Sequence, residues 1–423
     1  MVLRFEMDGM STFEKRKATF CSVAICWLFY LYSYIARVEP SVLSNQLIKE
    51  FNLTSSVFGF VISLSYLPYV MMQIPCGIIT DKIGTKTMIA ISSIICALGT
   101  FMFGSAESLF QLEAGRFFIG LSSAPAFLCC GKVAADFFDK KKYAMLMGVA
   151  MGMGCLGGIA GSAPTAYFVS KFGWRVTTYF ISFVGIMLAI LAVVCMEKKK
   201  ISSQVKIQLF SGLKIISKNP KIWILGLYGA MTYLPLTALA ELWIIPFMEQ
   251  RYEIQTETAA ISSIIIFIGF ALGGIISAWV AEKINSYKKT IISFTFGVLA
   301  SFLFAIYSDS INFYTSLGIL FICGICAGAN TLAFAMVYHL TPSEFGGTSS
   351  GFMNALIMSS GLIFQPLLGK LLDFFRNELV DANGGAVYNL AMYRSALLFV
   401  GIGMLLAVIA TFFLSDVKPK EES

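Results

Sequence analysis

The chain has 423 residues, of which 57% are hydrophobic and 13% are charged, and its formal net charge is +7. A soluble domain of this size could not cover its surface with so few polar residues, so the composition excludes a soluble protein. About 20 apolar residues cross a bilayer as a helix, and a chain of this length with short loops has room for about twelve such helices.

Apolar runs separated by charged or turn-rich breaks predict twelve membrane spans. The first run has no small-residue cleavage site behind it, so we interpret it as a span and not as a cleaved signal peptide. The predicted spans are residues 18–38, 56–79, 88–106, 112–134, 144–169, 176–196, 222–246, 259–281, 290–307, 313–340, 347–372 and 392–414.

The basic residues of the loops predict the orientation of these spans. If the N-terminus is placed in the cytoplasm, the loops on that side hold most of the loop Lys and Arg residues. By the positive-inside rule, both termini are therefore predicted to be cytoplasmic. The positive net charge is interpreted as this topology signal, and no binding of nucleic acid is predicted.

A short polar hinge at residues 77–86 separates predicted spans two and three, and a weaker copy at residues 278–288 separates spans eight and nine. In both hinges an acid follows a small residue by four positions, and a lysine, an isoleucine, a turn-former and a second lysine come after it. Matching hinges in the two halves indicate an internally duplicated membrane protein, and parallel repeats of this kind are typical of secondary transporters.

The duplication predicts three parts. Residues 1–196 form an N-terminal six-helix bundle, residues 197–221 a cytoplasmic linker, and residues 222–423 a C-terminal six-helix bundle with a short cytoplasmic tail. The linker is the densest cationic run of the chain and contains a short amphipathic piece around residues 207–216.

No motif of an enzyme interrupts the apolar runs. The sequence has no P-loop, Rossmann or hydrolase motif. The ten cysteines lie mostly inside apolar runs and are interpreted as small buried hydrophobes. Cys323 and Cys326 have the spacing of half a metal or redox site, but no second pair accompanies them. We therefore predict no enzyme activity, no cofactor and no metal.

Several motifs carry a resemblance to a known family. The hinge at residues 77–86 resembles the signature loop between the second and third helices of the major facilitator superfamily. Residues 115–120, with their Gly-Arg-x3-Gly pattern, resemble its fourth-helix motif. The glycine-rich stretch at residues 152–164 resembles its fifth-helix motif, and residues 173–175 resemble a common entry to its sixth helix. The resemblance implies an all-α membrane protein with twelve helices in two pseudo-symmetric bundles.

A finer resemblance concerns two groups within that superfamily. Residues 36–42, 73–75, 240–243 and 365–369 are similar to bacterial intraphagosomal amino-acid transporters, and the general layout is similar to anion:cation symporters of sugar acids. Those symporters usually carry an acid before the first-helix arginine and another on the fourth helix. Ala36 and Ser123 stand at these positions, which argues against a sugar acid and leaves the coupling acid open.

Arg37 is the first candidate for solute binding. It shares one helical face of span one with Tyr30, Tyr34 and Ser41, a polar aromatic stripe that could line a cavity. An ionised side chain inside a bilayer is costly and marks a pathway or a pair, and arginine binds carboxylates through two parallel hydrogen bonds. The alternative is a residue that extends toward the membrane interface.

Glu241 is the acid that lies deepest within a predicted span. It shares a face with Tyr233 and Thr237, and a buried carboxylate is suited to carry a proton in a chain with one histidine. We predict that Glu241 binds solute or proton, with Trp243 beside it in the solute site. A permanent ion pair with Arg37 or Arg116 is the alternative.

Three further polar side chains lie inside spans. Arg116 shares a face with Ser123, and the superfamily resemblance implies a coupling or structural role; a local pair with Glu113 is the alternative. Asn354 and Gln365 share a face of span eleven. Amides inside spans either join helices or bind solute, and both readings stay open for these two.

The hinge residues are predicted to control the opening and closing of the carrier on its inner side. Asp81, Lys86 and Glu282 could pair with helix ends or cations of the other half when the inner side is closed, and separate when it opens. Lys132 is predicted to pair locally with Asp136, four positions further on.

These features together predict a secondary carrier whose halves rock about a midplane site in the bacterial inner membrane. We expect a monomer that imports a small polar metabolite, favouring an amino acid, together with protons. A symporter of small organic anions and an exporter of drugs or siderophores are the alternatives within the transporter class. A non-transporting sensor or scaffold on the same fold is the alternative outside it.

Overall fold

The computed structural model describes residues 12–138, 140–197, 209–342, 345–376 and 388–418. Within this part of the chain the regular structure is entirely helical, and twelve helical segments are long and apolar enough to cross a membrane. The prediction of an all-α protein with twelve spans is confirmed. Spans one to twelve are Thr19–Glu50, Ser55–Met72, Thr85–Gly104, Leu109–Phe137, Met145–Phe172, Trp174–Cys195, Pro220–Tyr252, Thr256–Ile284, Tyr287–Tyr307, Phe313–His339, Gly346–Phe375 and Leu390–Phe412.

Short polar side chains and glycines set the ends of these helices. The side chains of Thr54, Ser108 and Asn312 accept hydrogen bonds from backbone N–H groups of the first turns that follow them. Gly84 and Gly173 have φ angles of 81° and 80°, a region that favours glycine. These two glycines allow the tight connections between spans two and three and between spans five and six.

Three spans that meet at the centre of the molecule are not regular α-helices. Span one consists of helices Thr12–Val38 and Pro40–Glu50, so it extends twelve residues beyond its predicted end at residue 38. Pro40 occupies the first position of the second helix, where the missing N–H is tolerated. Span two is broken after Ser63, and span seven contains a π-helical stretch at Pro235–Trp243. π-Helical turns, which are wider than those of an α-helix, often occur at functional sites.

The linker is only partly described. A helix at Leu209–Lys218 overlaps the predicted amphipathic piece, while residues 198–208 lie outside the described residues. We call spans one to six the N-terminal half and spans seven to twelve the C-terminal half. The membrane face where span one begins is the terminal face, and the opposite face is the distal face.

The two halves are packed closely near the distal face. Both carboxylate oxygens of Asp373 on span eleven accept hydrogen bonds from the first backbone N–H groups of span two, those of Ser55 (3.1 Å) and Ser56 (2.8 Å). Asn45 donates to Glu249 of the other half at 2.9 Å. At Gly59 a Cβ atom would lie 2.6 Å from the carbonyl oxygen of Gln365, so only glycine permits this approach of spans two and eleven. The distal end is therefore closed by contacts between the halves.

Candidate functional site

A cavity lies between the two halves, on the terminal side of these distal contacts. Its polar wall comes from four tyrosines and two asparagines on five spans: Tyr30, Tyr34, Tyr69, Tyr233, Asn330 and Asn354. Three of the predicted site residues, Tyr30, Tyr34 and Asn354, therefore line one cavity.

Arg37 and Glu241 form an ion pair between the halves. The Nη2 atom of Arg37 lies 3.2 Å from both carboxylate oxygens of Glu241, and the same nitrogen donates to the hydroxyl of Tyr66 at 3.2 Å. The Tyr66 hydroxyl donates in turn to Glu241. Arg37 is 4% exposed and Glu241 is 1% exposed. The alternative that Glu241 pairs with Arg37 is thus the arrangement that the structure shows.

Three tyrosine rings surround the guanidinium of Arg37. The rings of Tyr34, Tyr66 and Tyr69, which we call the aromatic cage, have their centroids 4.7, 5.0 and 5.3 Å from its central carbon. A cation over the face of an aromatic ring is attracted by the electron density of the ring. Tyr34 and Tyr69 also line the cavity, so the ion pair and the cavity are contiguous.

Both charges lie where the backbone of their span departs from a regular α-helix. Arg37 lies in the last turn of the first helix of span one, directly before its break. Glu241 lies in the π-helical stretch of span seven, where Pro235 lacks a backbone N–H.

Because each charge is the partner of the other, removal of either one would leave an uncompensated buried charge, at a cost of about 3–5 kcal/mol.

Arg116 makes contacts of a different kind. Its Nη1 donates to the carbonyl oxygen of Ala36 at 2.9 Å, and its Nη2 donates to the carbonyls of Arg37 (3.2 Å) and Ile62 (3.3 Å) and to Ser65 Oγ (3.0 Å). The Ala36 carbonyl is available because Pro40, four residues on, has no N–H to donate. Arg116 thus binds the backbone at the breaks of spans one and two. This geometry favours the structural reading of Arg116 over a pair with Glu113.

Trp243 and Gln365 lie outside the cavity wall. The indole Nε1 of Trp243 donates to the backbone carbonyl of Gln365 at 3.3 Å, and Gln365 Nε2 donates to the carbonyl of Thr237 at 2.8 Å. Both side chains are buried. These contacts join spans seven and eleven, so the geometry favours a helix-joining role for both residues over the predicted contact with solute.

Asn354 connects the halves below the cavity, on the side of the terminal face. Its amide nitrogen donates to the Tyr69 hydroxyl at 3.3 Å and to Gln73 Oε1 at 2.9 Å, and both acceptors belong to span two. Asn354 therefore lines the cavity and also joins the two halves. The sequence left open whether it joins helices or binds solute, and its position is compatible with both roles.

The predicted gating residues lie at the terminal face. Asp81 forms an ion pair with Lys132 of span four, in the same half, which corrects the predicted pairing of Lys132 with Asp136. Lys86 lies in the first turn of span three, and Glu282 is exposed in the last turn of span eight. The structure does not bring Asp81 and Glu282 together.

Sequence reasoning missed two residues of the aromatic cage. Tyr66 and Tyr69 are separated by three positions and Gln73 follows after four more, so the three share one helical face. This stripe carries no formal charge, so a pattern of buried charges does not mark it. The same periodicity identified Tyr30 and Tyr34 on span one.

Sequence reasoning also left a buried carboxyl out of the predicted site. Glu39, at the break in span one, is fully buried and accepts a hydrogen bond from Thr178 of span six. Its second oxygen, Oε2, has no hydrogen-bond partner among the described residues. Glu39 lies inside the N-terminal half and is not part of the cavity wall.

Comparison with known proteins gives consistent matches along the chain. Residues 20–375 match the family model described as Major Facilitator Superfamily. A "Probable nitrate transporter NarT" of Staphylococcus epidermidis is 25% identical over 347 residues, which cover 80% of this chain and 84% of that protein. The "Probable galactarate/D-glucarate transporter GudP" of Escherichia coli K12 is 22% identical, with 97% of each chain covered.

A solved structure gives the same architecture. A bacterial homologue of the human lysosomal transporter Spinster, crystallised in an inward-facing and unoccupied conformation, has a TM-score of 0.75 against this chain. The two sequences are 16% identical, and the match covers 96% of this chain and 97% of the other. At this identity the likeness concerns the fold alone.

Proposed function

This chain belongs to the major facilitator superfamily, and we propose that it is a secondary carrier that moves a small organic anion together with a proton. The observation that carries this proposal is the Arg37–Glu241 ion pair, which joins the two halves and is contiguous with the cavity. The relatives named for nitrate and for galactarate or D-glucarate support an anion as the solute class.

The geometry gives each of the two charges a role. A carboxylate that enters the cavity competes with Glu241 for the guanidinium of Arg37, which presents a planar fork suited to a carboxylate. Two carboxylates on one arginine repel each other, so the exchange is favoured when Glu241 takes up a proton. The solute and the proton then bind together, and the buried site stays near neutral through the cycle.

Closure on alternate sides would complete the transport cycle. The distal face is closed here by the hydrogen bonds of Asp373 to the N-terminus of span two and by the hydrogen bond from Asn45 to Glu249. We propose that Asp81 and Glu282 act in the opposite state, in contacts between the halves at the terminal face, with Lys86 beside them. The terminal face would be cytoplasmic and the carrier a monomer of the bacterial inner membrane.

An amino acid is the second candidate solute, because the ion pair has the charges that a zwitterion needs. A carboxylate could meet Arg37 while the ammonium met Glu241. This binding needs no proton on Glu241, so the two candidates differ in their dependence on a pH gradient.

The test separates exchange from accumulation in proteoliposomes. Glu241→Gln imitates the protonated side chain permanently, so counterflow exchange of solute should survive while pH-driven accumulation is lost. Glu253→Gln, at an exposed position of the same half, is the matched control and should retain both activities. Accumulation by Glu241→Gln at the native rate would contradict the coupling role. Loss of exchange as well as accumulation in a variant that remains folded would make Glu241 a structural partner of Arg37 and not the coupling acid.

A further inference from the structure

The part of the cavity wall that the ion pair does not explain is apolar. Six side chains from five spans form it: Phe127, Met151, Phe270, Phe334, Ile357 and Met358. Aromatic rings pack against other aromatic rings in edge-to-face or offset arrangements, and the flexible methionine side chain can pack against an irregular apolar surface. These side chains offer contact area to a solute and no strong hydrogen bonds.

The polar groups of the wall are largely engaged with the protein itself. The hydroxyls of Tyr34 and Tyr233 share a hydrogen bond of 3.2 Å. The amide nitrogen of Asn330 donates to the carbonyl of Gly229 at 2.6 Å and to Thr232 Oγ1 at 3.1 Å. The amide nitrogen of Asn354 donates hydrogen bonds to Tyr69 and Gln73.

These engaged groups limit how many hydroxyl groups a solute can bring. Each solute hydroxyl gives up hydrogen bonds to water when it enters, and a group left without a new partner is destabilising. A polyhydroxylated solute would need several new partners in a wall that has few to offer. An apolar portion of the solute loses no hydrogen bonds and gains contacts with rings and thioethers.

The number of available cations limits the charge of the solute. A solute in the cavity would reach Arg37 by passing Tyr34 and Tyr69, which belong both to the aromatic cage and to the cavity wall. Arg116 is not available as a second anchor, because both of its terminal nitrogens are bonded to backbone carbonyls. A second carboxylate on the solute would therefore have no cationic partner in the cavity wall.

We propose that the solute is an amphipathic monocarboxylate, with its carboxylate at Arg37 and an aromatic or branched apolar portion against Phe127, Met151 and Phe270. This inference rests on the proposed function and narrows it. Sugar diacids and small inorganic anions satisfy only the part of the site around Arg37.

Binding to the purified carrier in nanodiscs tests the proposal with four probes at one pH. The probes are 3-phenylpropanoate, propanoate, D-glucarate and nitrate, and the readout is Kd by calorimetry. We expect 3-phenylpropanoate to bind at least tenfold more tightly than each of the others. D-glucarate or nitrate binding as tightly as 3-phenylpropanoate would overturn the inference.

Two variants separate this inference from the proposal on which it rests. Met151→Gln keeps the length of the side chain but makes the apolar wall polar, so it should weaken 3-phenylpropanoate severalfold and leave propanoate unchanged. Arg37→Lys keeps the charge opposite Glu241 but loses the planar fork, so it should weaken both acids alike. If propanoate and 3-phenylpropanoate bind equally in the native protein and both depend on Arg37, the apolar preference is wrong and the anion site stands. If no probe binds, or binding does not depend on Arg37, both proposals fail.

Discussion

Arg37 and Arg116 are both buried inside the membrane spans, yet their guanidinium groups meet opposite kinds of partner. Arg37 bonds to side chains, and one of them, Glu241, belongs to the other half of the molecule. Arg116 bonds mainly to backbone carbonyls of its own half, at the breaks of spans one and two. Each has a buried glutamate in its surroundings, Glu241 for Arg37 and Glu39 for Arg116, and among the described residues the ion pair is formed by Arg37 and Glu241.

The difference indicates which charge can take part in a transport cycle. A side-chain partner can move away and be replaced by a solute carboxylate without any change in the backbone. The carbonyl of Ala36 has no helical donor, because Pro40 lacks an N–H, so its separation from Arg116 would leave a buried acceptor unpaired. Arg37 is therefore suited to exchange partners, and Arg116 is suited to hold the bent spans in place.

The largest effect is expected for Arg116→Lys. A lysine ammonium is compact and cannot span the three carbonyls and one hydroxyl that the guanidinium reaches. The Ala36 carbonyl and other contacts of the guanidinium would lose their donor, which predicts a loss of about 3–5 kcal/mol in the free energy of unfolding. The measurement is thermal unfolding in detergent, with monodispersity on gel filtration beside it. A native melting temperature would show that the backbone contacts of Arg116 contribute little, and the contrast with Arg37 would then be lost.

A smaller and different effect is expected for Arg37→Lys. The charge opposite Glu241 is kept, so the protein should remain folded, but the planar fork is lost. We expect the binding free energy of the solute to weaken by about 1–3 kcal/mol, or roughly fivefold to 150-fold in Kd. Kd and melting temperature are measured on the same preparation, because the expected change is in affinity and not in stability. Unchanged affinity in both Arg37→Lys and Arg37→Ala would remove Arg37 from the solute site.

The sequence identified both arginines as buried charges but did not distinguish their partners. Hydropathy places Arg37 and Arg116 within spans, because it depends only on local composition. Their partners depend on which side chains of other spans lie opposite them, and a single sequence contains no such information. Pro40 is the local sign that the carbonyl of Ala36 lacks its helical donor, and such a carbonyl is a natural acceptor for a buried arginine.

Other parts of the site show the same limit. Tyr30 and Tyr34 were predicted correctly as cavity residues because the stripe on span one also carries a charge. Trp243 is predicted beside Glu241 in the solute site, and Gln365 is predicted either to join helices or to bind solute. In the structure the Trp243 indole donates to the backbone carbonyl of Gln365. Span one is predicted to end at residue 38, because its apolar run is broken after that residue. Here Pro40 begins a second helix that continues the span to Glu50.

The smallest effect is expected for Glu39→Gln, which completes the comparison of the two glutamates. Glutamine keeps an oxygen that can accept the hydrogen bond from Thr178, and it replaces a buried carboxyl group for which the described residues provide no ion-pair partner. A buried charge without a counter-ion destabilises the folded state, so its removal should leave the free energy of unfolding unchanged or raise it by up to about 1 kcal/mol. Glu241→Gln is the matched comparison, because it leaves Arg37 without its counter-ion and should lower stability. Thermal unfolding of the two variants side by side gives the answer. If Glu39→Gln destabilises the protein as much as Glu241→Gln does, Glu39 is paired as a charge within the N-terminal half, and Arg116 would then hold an ion pair in addition to the backbone.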